Sequence, residues 1–160
     1  MKLKLWICIT FGITLCLGVG LMASAATQTS VNTWYLTLKK PFFTPPSWLF
    51  APVWSLIYVL MGIALGRVIF FINHNKLNKI GLYYFGGQLL FNGLWSFVFF
   101  GLRNYILGLL VIIFLLFLIQ RTIKWFRVID ILSAQIFYTY FIWVIFATLL
   151  NAGIVFLNYN

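Results

Sequence analysis

The chain has 160 residues, 64% of them hydrophobic and 8% charged, with a formal net charge of +10. Soluble domains carry about 25% charged residues, so a soluble fold is excluded, and apolar stretches of roughly 20 residues recur along the whole length as membrane spans would. The eleven cations are spread over every polar boundary and form no basic face, which excludes a nucleic-acid partner and fits topology signals and lipid-headgroup contacts.

In chain order, spans are expected at about residues 5–25, 45–72, 78–101, 104–123 and 129–157, in one domain covering 1–160. The start, MKLK, then an apolar run, then Ala23-Ser24-Ala25, fits a cleaved signal peptide. The run of about 19 residues exceeds the usual 7–15. It also carries Gly12, Cys16, Gly20 and Ser24 at i+4 spacing, a stripe suited to close helix packing. A retained span is therefore expected. Cys8 and Cys16 lie in it without a CxxC or ligand cluster, as small buried thiols do.

The connection at about residues 26–44 is long for a compact protein, as lids and binding loops are. Its Trp34-Tyr35 pair would, taken alone, belong to an interfacial aromatic belt. All four prolines, Pro41, Pro45, Pro46 and Pro52, fall in KKPFFTPPSWLFAPVW. Thr44 is expected to cap the second span, with Pro45 and Pro46 in its first turn, where missing N–H donors cost nothing. Pro52 should kink that helix one to two turns further in.

Lys2, Lys4, Arg67, Lys76, Lys79, Arg121, Lys124 and Arg127 share one side of the membrane; Lys39, Lys40 and Arg103 fall on the other. That bias predicts the N-terminus inside and the C-terminus outside. Three stripes have helical spacing: Trp54, Tyr58, Gly62 and Gly66; Gln88, Asn92, Trp95, Ser96 and Phe99; and Tyr140, Trp143, Ala147 and Asn151. For any single stripe the ordinary account is helix knitting by small and polar residues. Three stripes with tryptophan in the outer half predict an aromatic cavity under the long loop, suited to a flat apolar or amphipathic ligand.

At these residues WYLTLKKPFFTPPSWLFAPVWSLIYVLMGIA, QLLFNGLWSFVFFG and FIWVIFATLLN closely resemble the three signature regions of the TspO/MBR family, the tryptophan-rich sensory proteins. The resemblance covers nearly the whole chain in order. It implies an all-α integral membrane protein: a bundle of five transmembrane helices with the long first loop as a lid, often a homodimer. It also implies a receptor, sensor or carrier for porphyrins and similar apolar small molecules, in a bacterial cell membrane. The family's pocket positions match Trp34, Trp48, Trp54, Asn92, Trp95, Trp143, Ala147 and Asn151, and the stripe adds Tyr58. Two departures stand out. Thr139-Tyr140 replaces a frequent Pro-Tyr pair, and the tail TLLNAGIVFLNYN lacks the Lys or Arg that would complete a proposed cholesterol motif.

Conventional catalysis finds no constellation. Asp130 is the single acid, a helix-terminus charge beside Arg127, and His74 sits in a loop between Asn73 and Asn75. No triad, carboxylate pair or metal cluster can be built, so no catalytic residue, metal or cofactor is expected. The resemblance does imply an alternative, light- and oxygen-dependent porphyrin breakdown by pocket tryptophans, with Trp48 and Trp143 at matching positions. A proton-coupled exporter would need an ionisable group inside a span, and none is read there.

Overall fold

The computed structural model describes residues 2–75 and 77–159, and Lys76, counted above among the cations of one side, lies outside them. The described residues form helices and no strand: α1 (Lys2–Gln28), the short α2 (Trp34–Thr37), α3 (Phe50–Asn75), α4 (Ile80–Ser96), α5 (Tyr105–Ile129) and α6 (Ile131–Asn158). Backbone groups cannot be left unpaired in lipid, so long apolar segments of this kind fold as helices. Four segments are long and apolar enough to cross a membrane: Lys4–Gln28, Ser47–Asn75, Tyr105–Ile129 and Ile131–Asn158. The chain is an integral membrane protein. α4 has 17 α-helical residues and continues as a π-turn over Phe97–Gly101.

Neighbouring helices contact in the order α1–α3–α6–α5–α4 and back to α1, a closed ring. The tightest seam is α1 on α3, and glycine makes it. A Cβ at Gly66 would lie 2.5 Å from the Cys8 carbonyl oxygen, and one at Gly62 would lie 2.5 Å from the Ile13 nitrogen. Small residues at these points let two backbones touch, which is how helices associate in a solvent as apolar as themselves. Further along α1, Cys16 is fully buried and Gly20 faces the Tyr58 ring. The i+4 stripe is thus a packing stripe as far as Gly20. Its last member, Ser24, is exposed.

The prolines differ from expectation. Thr44 does not cap a helix; it closes a turn, its N–H and hydroxyl both donating to the Pro41 carbonyl at 3.1 and 2.7 Å. The helical path begins at Ser47 as one 3-10 turn, with Pro46 extended before it. Pro52 then sits in the first turn of α3, where a missing donor is cheap. The chain thus enters α3 through a change of helix type, two residues before Pro52. Pro41 has a separate role: its ring packs on Gly153 of α6, where no side chain would fit.

α5 runs six residues past its expected end, to Ile129, and Asp130 alone joins it to α6. Arg121, Lys124 and Arg127 are therefore helical, and cations near a helix C-terminus are favourable. Asp130 does cap α6, accepting from Ser133 N at 3.0 Å and Ser133 Oγ at 2.6 Å. Its ion-pair partner is Arg67 of α3, with Nε and Nη2 at 2.8 and 3.0 Å, rather than Arg127. Burial alone would raise the Asp130 carboxyl, but the bonds from Arg67 and Ser133 outweigh it and hold the group below its ordinary value. A depressed folded value means that the stabilisation is complete above the unfolded carboxylate value, about 4. It is lost as pH falls through the folded one. Asp130→Asn should cost about 1–2 kcal/mol near neutrality, less than for a sealed pair because water still reaches this one. It should also flatten the acid limb of a thermal-stability profile between about pH 5 and 2. An unchanged acid limb would show that other groups set it.

Candidate functional site

A cavity of about 300 Å³ lies at the end of the ring where the α1–α3 connection crosses. Its buried wall comes from α1, α2, α3, α4 and its π-turn, and α6: Ala23, Tyr35, Tyr58, Trp95, Ser96, Phe99, Ala147, Leu150, Asn151 and Ile154. Every exposed residue on its lining belongs to one edge: Leu21, Ser24 and Gln28 on α1, and Ser47, Ala51 and Ser55 leading into α3. The mouth is thus a gap between α1 and the start of α3.

The aromatic lining follows from helical spacing. Trp54 and Tyr58 are one turn apart on α3 with rings 5.9 Å apart. Trp54 meets Trp95 at 6.3 Å, and Trp95 stacks on Phe99 at 5.4 Å. The π-turn inserts an extra residue per turn, which brings both Phe99 and Phe100 to the lining. Polar groups are few and mostly committed. Trp95 Nε1 donates to Asn151 Oδ1 at 3.2 Å, and Asn151 Nδ2 donates to the Tyr105 carbonyl at 2.7 Å. Below them the Tyr58 hydroxyl donates to Asn92 Oδ1, and Asn92 Nδ2 donates to the Tyr140 hydroxyl at 2.9 Å. One turn further down α4, the fully buried Gln88 amide has no partner among the described residues.

The sequence-predicted positions divide into lining and support. Trp54, Tyr58, Trp95, Ala147 and Asn151 line the cavity. Asn92 lies behind it and fixes Tyr58. Trp143 backs Trp54 at 6.4 Å and Phe50 at 6.3 Å, its indole N–H buried without a partner among the described residues. Trp34 lies on Tyr105 and edge-on to Phe99, at 6.5 and 5.8 Å. Trp48 is 71% exposed in the 3-10 turn and does not reach the cavity. The sequence reading missed the whole α1 contribution, from Leu17 to Gln28, and named Trp34 rather than its partner Tyr35 as the site residue, although Tyr35 is the buried one on the lining and Trp34 is only half-buried. The i+4 stripe on α1 was the signal available: a helix seam that holds Gly20 against Tyr58 also puts the next turn beside the cavity.

The connection is tied down at two points, to α4's π-turn and to the end of α6. The Ser30 hydroxyl, fully buried, donates to the Phe100 carbonyl. Lys39 N donates to Asn158 Oδ1 at 3.0 Å, and Asn158 Nδ2 returns a bond to the Lys39 carbonyl at 2.8 Å.

Residues 12–157 match the family model described as the TspO/MBR family. The chain belongs to the TspO/MBR family. It is 40% identical over 144 residues to the tryptophan-rich protein TspO of Archaeoglobus fulgidus, covering 89% of this chain and 91% of that protein. Protein CrtK of Rhodobacter capsulatus is 40% identical over 129 residues, 81% of each chain. The translocator protein of Homo sapiens is 33% identical over 124 residues, 74% of this chain and 70% of that one. The matched region of this TspO/MBR chain contains the whole cavity wall.

Proposed function

We propose that the chain is a membrane receptor or carrier that takes porphyrin, or a similarly flat apolar molecule, into the aromatic cavity. The observation that carries this reading is the cavity wall itself: Trp54, Trp95, Phe99, Tyr35 and Tyr58 offer ring faces and edges, with Asn151 the principal amide among them. Such a site rewards area and flatness and asks for little hydrogen bonding. The names of the relatives, sensory and translocator proteins, support a role in sensing or moving a ligand. The mouth between α1 and α3 favours access from the bilayer, where an apolar ligand is concentrated.

In this reading α4 with its π-turn, residues 80–101, is a further crossing, which makes five. The N-terminus then lies inside with most of the cations, and the first connection is a lid closed over the cavity. The light-driven breakdown reading is less favoured, because Trp48 is exposed and Trp143 stands behind Trp54 rather than on the lining.

Protoporphyrin should quench tryptophan fluorescence saturably, and Trp54→Ala should weaken binding by about tenfold or more, the cost of one large aromatic contact. Trp34→Ala should speed release by a few-fold to about a hundredfold while apo stability changes little. Non-saturable quenching that is indifferent to Trp54 would refute the site. Unaltered release with lowered apo stability would make Trp34 structural and remove the lid. Illumination with and without oxygen separates binding from breakdown.

A further inference from the structure

At the opposite end of the α1–α3 seam lies a second cavity of about 330 Å³, walled by Lys4, Ile7 and Cys8 on α1 and by Phe70, Asn73 and His74 on α3. The sequence explains why it is there. Backbone contact between the helices depends on Gly62 and Gly66, and past Gly66 no glycine follows on α3, so larger side chains hold the helices apart. The positions 4, 7, 8 and 70, 73, 74 are i, i+3, i+4 triplets, the spacing by which each helix presents one face to its neighbour.

The groove is amphipathic along its length. Lys4, Asn73 and His74 are exposed, at the helix ends where the bilayer meets water. Ile7, Cys8 and Phe70 lie on the membrane side of them. The His74 ring is held flat on Phe70, centroids 5.7 Å apart and planes within 6°. Lys4 is in the first turns of α1, where the unpaired N–H groups of a 27-residue helix add positive potential. The chain has one acid against eleven cations, and that acid, Asp130, is bound to Arg67 at the start of α6. Among the described residues no side-chain carboxylate is left to neutralise Lys4.

We propose that this groove is a binding site for one anionic phospholipid, its phosphate held by Lys4, Asn73 and His74 and its acyl chain lying along Ile7 and Phe70. A lipid fits better than a free phosphate because half of the lining residues, Ile7, Cys8 and Phe70, are apolar. The site is separate from the aromatic cavity and does not depend on what that cavity binds.

Cys8 supplies the reporter. It lines the groove and is partly exposed, whereas Cys16 is fully buried. The full chain in nanodiscs of phosphatidylglycerol, or of phosphatidylcholine with the same acyl chains, is alkylated with N-ethylmaleimide. Beyond the slowing that the surface pH causes in every variant, Cys8 should react about fivefold more slowly in phosphatidylglycerol, the preference that one surface cation confers. In the Lys4→Gln/His74→Gln variant the slowing should be about fivefold smaller than in the unaltered chain, leaving only what the surface pH causes. In Lys124→Gln, exposed on α5, the full slowing should persist. The lower surface pH of an anionic membrane slows all variants alike, so the contrast between them carries the result. Equal slowing in the unaltered chain and in Lys4→Gln/His74→Gln overturns the proposal. So does loss of the extra slowing in Lys124→Gln, which would indicate diffuse attraction. Protection by glycerol 3-phosphate in phosphatidylcholine would replace the lipid with a soluble anion.

Discussion

Gly66→Val should separate α1 from α3 and remove the aromatic cavity with it. The new Cβ would meet the Cys8 carbonyl oxygen and the Ile9 nitrogen at 2.5 Å. Overpacking costs about 1–3 kcal/mol where side chains can yield. Here the obstacles are backbone atoms of a continuous helix, so the cost should be at least about 3 kcal/mol. The effect reaches the cavity because α1 is one of its walls: Leu17, Gly20, Ala23 and Thr27 all line it. Thermal unfolding in detergent should shift sharply downward, and saturable porphyrin quenching should be lost together with it. Gly18→Val is the matched control, since a Cβ there meets nothing within 4 Å, and it should behave as wild type. Equal damage from both substitutions would mean that helix propensity, not the seam, was being measured.

That seam was legible in the sequence, because small residues at i+4 on two neighbouring spans have few other uses in a membrane. Four of the apolar segments were legible as spans for the same reason that hydropathy works at all: lipid forbids unpaired backbone, so apolar length becomes helix length. What misled was charge. Arg121, Lys124 and Arg127 looked like a connection, yet a helix that ends at the membrane boundary can carry its cations in its last turns and extend them toward water. The real connection is a single residue, Asp130, too short to leave a compositional trace. Its pairing with Arg67, 63 positions away, had no local signal either.

The site divides along similar lines. Trp54, Tyr58, Trp95, Ala147 and Asn151 could be read from helical spacing, since a stripe on a helix stays a stripe in the fold. Trp48 could not be placed by spacing, because it lies in a 3-10 turn whose geometry rotates it away from the α3 row. The π-turn after Ser96 was also hidden. It is a local change of period set by tertiary packing, and it is what brings Phe100 to the lining beside Phe99.

Asn151→Leu should weaken both the fold and ligand binding, and the two losses should be separable. Asn151 is 1% exposed and joins three elements: its Oδ1 accepts from Trp95 on α4, and its Nδ2 donates to the Tyr105 carbonyl at the start of α5. Leucine fills the volume but strands the Trp95 indole N–H, while the Tyr105 carbonyl, at the start of α5, keeps its intrahelical bond. Hydrogen bonds between membrane helices average about 0.6 kcal/mol when both partners can find substitutes. A stranded buried group costs about 1–3 kcal/mol. The second figure should govern here, because Trp95 is packed against Trp54 and Phe99 and cannot turn toward another acceptor without leaving the cavity wall. A loss of about 2 kcal/mol in stability is expected, with porphyrin affinity down about tenfold as the Trp95 ring loosens. Trp95→Phe separates the two roles. It deletes the N–H but keeps an aromatic face, so affinity should fall less than in Asn151→Leu. A double-mutant cycle between the two positions should show coupling, since each single change removes the same bond. If Asn151→Leu lowers stability and leaves affinity intact, Asn151 ties helices together and takes no part in holding Trp95 for the ligand.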